Sequence, residues 1–160
     1  MDDELRGVKG WLLVFVIIMA VISPGISALM VYRELYTGQA AYLPDVPMVA
    51  SLKTFAWALV AFDALIGWFV AYRLVAVHNW LSVQIAIACI WFAGVAGTIA
   101  GYFGLMSITG ASFGDVMAEV GPGEIIRPFV FCLIWTTYLL KSQRVENTYR
   151  GGEEQAEIFE

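Results

Sequence analysis

Four stretches of this chain are too long and too apolar to be surrounded by water. They run from Trp11 to about Tyr32, from about Ala50 to Tyr72, from Leu81 to Met106, and from about Ile125 to Leu140. About 20 mostly apolar residues in a helix cross the ~30 Å hydrocarbon core of a bilayer. Hydrocarbon offers no partner to a backbone N–H or C=O, so each stretch is expected to be an α-helix. None alternates with the period of two that a barrel strand shows. Composition agrees, with 60% hydrophobic and 14% charged residues and a mean hydropathy of +0.74. A soluble chain of this size has no interior large enough to hide so much apolar surface. The predicted fold is all-α, an integral membrane four-helix bundle in one domain over 1–150, followed by an acidic tail over 151–160. The first run is too long for the apolar region of a signal peptide and is read as a span.

The ionisable residues exclude several classes. The formal charge of −5 comes largely from Asp2, Asp3 and Glu4 and from Glu153, Glu154, Glu157 and Glu160. Short acidic ends read as solvated tails, and nothing is basic enough for nucleic acid. Cys89 and Cys132 both fall inside apolar runs, where no disulfide framework is expected. His78 has no Cys or His at ligand spacing, so neither metal nor cofactor is expected. Six of the nine Lys and Arg residues (Arg6, Lys9, Arg73, Lys141, Arg144 and Arg150) flank one side of the spans. Arg33, Lys53 and Arg127 flank the other. The positive-inside bias predicts a multi-pass protein of the bacterial inner membrane with both termini in the cytoplasm.

Two outer loops carry local signals. In the first, Arg33 to about Val49, Pro44 and Pro47 are expected to break any helix. In the third, "SFGDVMAEVGPG", Ser112 and Asp115 resemble a capping box. Phe113, Val116, Met117 and Val120 then share one helical face, and Gly121, Pro122 and Gly123 end it. A short amphipathic helix on the outer interface is predicted, capping its own bundle.

The third span holds Gly94, Gly97, Gly101 and Gly104 on one stripe, with a GxxxG pair at Gly97 and Gly101. Such a stripe lets another backbone come close, inside the bundle or on another chain.

Asp63 sits within "ALVAFDALIGWF", residues 58–69, with five non-ionisable neighbours on each side. Counted from Ala50 it lies about 20 Å deep, where a charge must face protein or water. Arg127 lies about 15 Å shallower, so a direct ion pair is not favoured. Thr136 and Thr137 fall level with Asp63, and Met19 and Ser23 come close to that level. A neutral Asp63 bonded to one of the threonines is the default expectation. The bland reading is one interhelical hydrogen bond worth about 1 kcal/mol. The functional reading is a proton or cation site. Trp57, Trp68 and Trp91 are possible walls of a lipid or quinone groove, though aromatic residues in spans are more often packing.

The ends of the chain carry a recognisable pattern. "KGWLLVF" opens the first span, and "IWTTYLLKSQRVENTY" closes the last. With Trp135, Tyr138, Leu139, Ser142, Arg144, Val145, Asn147 and Thr148, they resemble the bacterial membrane family known as domain of unknown function 2569. Thr136 and Thr137 stand where an Ile-Pro-like pair is expected, and Tyr149 where Phe is usual. The resemblance implies a four-span inner-membrane protein and supplies no activity. Read physically, "KSQRVENTY" continues the fourth helix to its cytoplasmic end, where Lys141 and Arg144 suit the helix dipole and anionic headgroups.

No residue set equips an enzyme. The first functional expectation is therefore a non-catalytic accessory or scaffold subunit, bound to a membrane-protein partner or to copies of itself, with membrane lipids around it and no nucleic acid. The alternative is a small proton- or cation-linked transporter or channel using Asp63.

Overall fold

The computed structural model describes residues 7–37 and 47–150. The acidic ends and most of the first outer loop, including Tyr42 and Pro44, lie outside the described residues. Four helices are long and apolar enough to cross a membrane. They are α1 (Trp11–Thr37), α2 (Pro47–Ala76), α3 (Trp80–Thr109) and α5 (Pro122–Lys141). Two short helices complete the fold, α4 (Phe113–Glu119) between α3 and α5, and α6 (Gln143–Tyr149) after α5. There is no strand among the described residues.

Each span is longer than hydropathy alone predicts, because helices continue beyond the hydrocarbon wherever their ends can be satisfied. Pro47 does not break a helix. It opens α2, where its missing N–H would have had no partner. Pro122 likewise opens α5, and Pro128 lies inside that helix. Gly110 ends α3 in the left-handed region at φ 70°, which glycine enters without steric cost.

The predicted capping box forms. The Ser112 hydroxyl accepts from the Asp115 N–H at 3.2 Å, and the Asp115 carboxylate accepts from the Ser112 N–H at 3.1 Å. These Ser112 bonds hold the Asp115 carboxyl below the usual carboxylate range. Only part of the predicted α4 face is used inward, since Val116 is buried while Phe113 is 61% exposed.

The fourth span does not run through "KSQRVENTY". Ser142 adopts extended backbone, and α6 starts after it and folds back on the bundle. The cause is apolar. Val145 and Tyr149 are fully buried, which an unbroken helix leaving the membrane would not allow. Burial pushes the Tyr149 phenol up, and its hydroxyl donates to the Leu74 carbonyl in the last turn of α2. That carbonyl is one of the four that a helix end leaves without an N–H. At the same end the Gly7 N–H donates to Thr148 Oγ1 at 3.0 Å. Both described ends of the chain therefore meet on one face, here called the terminal face.

The buried core sits in the terminal half of the bundle. Leu12 and Phe15 of α1, Val70 and Leu74 of α2, Val83 and Ala86 of α3, and Trp135 and Leu139 of α5 fill it, closed by Val145 and Tyr149 of α6. The far half, toward α4, is packed differently.

Candidate functional site

The site begins with a distorted turn. Helix α1 widens to i→i+5 bonding over Ile18–Ile22, just before Pro24. Pro24 has no N–H to donate one turn back to the Ala20 carbonyl. The Trp68 indole of α2 donates to that carbonyl instead, at 2.8 Å. In hydrocarbon a freed backbone acceptor needs such a partner. Beside it, Gly67 lies so close to α1 that an added Cβ would collide with the Met19 carbonyl oxygen. The two antiparallel helices are thus locked in register at Met19 and Gly67.

One turn further, the register brings Ser23 and Ser27 onto Asp63. Their hydroxyls donate to the same carboxylate oxygen, Oδ2, at 3.2 and 3.4 Å. No other described side chain bonds Asp63. It lies about 24 Å from the Pro47 end of α2 and about 20 Å from the Ala76 end, close to mid-helix.

Asp63 also lines a cleft of about 690 Å³ formed by the far halves of α1, α2 and α3. The walls are mainly apolar, with Leu35, Phe55, Leu59 and Leu105 among them. Ser27, Thr98, Tyr102 and the exposed Glu34 supply the other polar groups. Phe62, on the cleft wall, meets the Phe92 ring edge to face at 6.0 Å. The packed core begins on the terminal side of these rings.

Several sequence expectations need correction. Thr136 does not meet Asp63. Its hydroxyl accepts from the Trp91 indole at 3.0 Å, and Thr137 is exposed. Depth alone placed these threonines level with Asp63, but α5 packs on the opposite side of α3. Arg127 agrees with expectation, since it does not reach Asp63 but pairs with Glu124 one turn away, at 3.3 Å, both exposed. Trp57, Trp68 and Trp91 do not line the cleft. Ser23 meets Asp63. Ser27, Glu34, Thr98 and Tyr102 were missed, although the spacing of Ser23 and Ser27, one turn apart on α1, was a usable signal.

Three glycines of the stripe meet other helices of the chain, whereas a Cβ on Gly97 would meet only the Phe92 carbonyl of its own helix. A Cβ on Gly94 would press on Cys132 Sγ of α5 at 3.0 Å. One on Gly101 would meet Leu59 of α2 at 3.7 Å, and one on Gly104 would run into the Phe55 ring. Gly97 and Gly101 also line the cleft.

The terminal motif proves architectural. Ser142 supplies the break, Tyr138 packs its ring against Trp135 at 5.8 Å, and Thr148 ties Gly7. Asn147 is half-buried beside them. Arg144 belongs to α6 rather than to the end of the fourth span, and its Nε lies 3.8 Å from where a Cβ on Gly10 would stand. The described residues hold no group of three His, Cys, Asp or Glu able to bind a metal ion.

Four helices long and apolar enough to cross a bilayer define a multi-pass α-helical membrane protein. The chain belongs to the family described as "Protein of unknown function (DUF2569)", whose model matches residues 5–150. No curated protein and no solved structure matches it.

Proposed function

We infer that this protein is a small, non-catalytic transporter or channel of the bacterial inner membrane, with both termini cytoplasmic, that moves protons or cations past Asp63. The observation that carries this reading is the position of Asp63. A structural carboxyl would be sealed between helices, whereas this one borders an open cleft and takes only two long serine bonds. An ionisable group at this depth is by default a candidate for a proton or ion pathway.

An accessory or scaffold subunit is the second reading. The half-used face of α4, with Phe113 61% exposed, supports it. Most of the glycine stripe does not, because Gly94, Gly101 and Gly104 meet neighbouring helices of the same chain.

Flux in proteoliposomes separates the two. Wild-type protein is expected to dissipate an imposed proton or cation gradient faster than empty liposomes, and Asp63→Asn to abolish the excess. Equal flux in the variant removes Asp63 from the path, and no flux from the wild type favours the accessory reading.

A further inference from the structure

The walls of the cleft and its charges call for different parts of one ligand. A volume of about 690 Å³ falls in the range that holds a drug-sized organic molecule. Phe55, Leu59 and Leu105 present apolar surface to it. The charged side chains among the described lining residues are both carboxylates, Asp63 and Glu34, with no Lys or Arg. At Asp63 both serine bonds fall on Oδ2, and no described donor reaches Oδ1. Glu34 is exposed and stands two helical turns, about 10 Å, beyond Ser27 toward the far face. Of the three far-face cations, Lys53 lies over the Tyr36 ring, Arg127 pairs with Glu124, and the exposed Arg33 does not line the cleft.

We propose that the cleft binds an organic cation with an apolar body. Its charged head rests on Asp63, its body lies along Phe55, Leu59 and Leu105, and Glu34 at the mouth draws cations in. This rests on the cation-linked reading of the cleft and names the species. A hydrated inorganic ion would leave the apolar walls unmatched, and a lipid acyl chain would leave both carboxylates unmatched.

The test uses the full chain in nanodiscs of zwitterionic lipid, with tetraphenylphosphonium as probe in equilibrium dialysis. Saturable binding is expected, weakened at least tenfold by Asp63→Asn and largely restored by Asp63→Glu. Ala56→Trp, which narrows the cleft and leaves both acids in place, is expected to weaken binding as strongly. Glu34→Gln is expected to cost severalfold at low salt and little at high salt, as a steering charge does. Benzyltrimethylammonium is expected to displace the probe, and neopentylbenzene, its uncharged isostere, is not. Displacement by both alike would assign the cleft to lipid chains and overturn the proposal. So would an absence of saturable binding, or binding indifferent to both Asp63→Asn and Ala56→Trp. Asp63-dependent proton flux without cation binding overturns this proposal and leaves the proton-linked reading standing. Cation binding without any flux supports it and overturns transport.

Discussion

At the scale of single residues, the most consequential position beside Asp63 is Gly67. Asp63 can meet Ser23 and Ser27 only because α1 and α2 touch backbone to backbone one turn away. The obstacle to a larger side chain there is a carbonyl, not the movable end of a side chain. Gly67→Val is therefore expected to cost roughly 1–3 kcal/mol through overpacking. It should lower the melting temperature in detergent and loosen the Ser–Asp contacts. Gly25→Ala, on the same stretch of α1 with nothing within 4 Å of the added Cβ, should leave the Ser–Asp contacts intact and hold or slightly raise the melting temperature, since alanine favours a helix over glycine. A melting temperature unmoved by Gly67→Val would contradict the close approach. The serine pair was legible in sequence as hydroxyls one turn apart. That they, and not Thr136, meet the acid was not, because depth along the membrane says nothing about which helix is the neighbour.

Among the elements, α4 shows the clearest link from sequence to local structure. Its capping box needs contacts only three residues apart, so it forms from local chemistry alone. Ser112 lowers the Asp115 pKa, which sets the sign of a pH effect. A carboxyl more acidic in the folded helix than in the unfolded chain stabilises fully above its unfolded value of about 3.9. That contribution is lost as pH falls through the lower, folded value. Carbon-13 shifts of residues 113–119, followed by NMR in bicelles, should thus stay helical through pH 4 and drift toward coil only under stronger acid. In Asp115→Asn the acid-dependent drift should vanish. The break at Ser142 is the opposite case. Nothing in "LLKSQRVENTY" forbids a continuous helix, and the chain turns because Val145 and Tyr149 gain burial by folding back.

For the whole molecule, the division of labour runs along the bundle axis. The terminal half is filled and tied, while the far half keeps a cleft. The Tyr149 hydroxyl joins α6 to the end of α2 across 75 residues of chain, and α6 closes the core beneath Asp63. Tyr149→Phe removes that bond and orphans the Leu74 carbonyl, at an expected cost of about 1 kcal/mol. For a chain of this size that lowers the melting temperature by about 2–4 °C. Asp63-dependent flux should survive, since the cleft lies in the other half. An unchanged melting temperature would show that water replaces the phenol at no cost. The sequence alone determined the solvent of each segment, the count of crossings and the capping box of α4, because hydropathy and capping act over neighbouring residues. Only the tertiary structure decided which helix faces which, that Gly94, Gly101 and Gly104 serve the chain's own packing, and that the deep acid opens onto a cleft. Those outcomes depend on rotation and register between helices, which rest on contacts such as Gly67 with Met19 and Pro24's released carbonyl with Trp68, made between residues far apart in the chain.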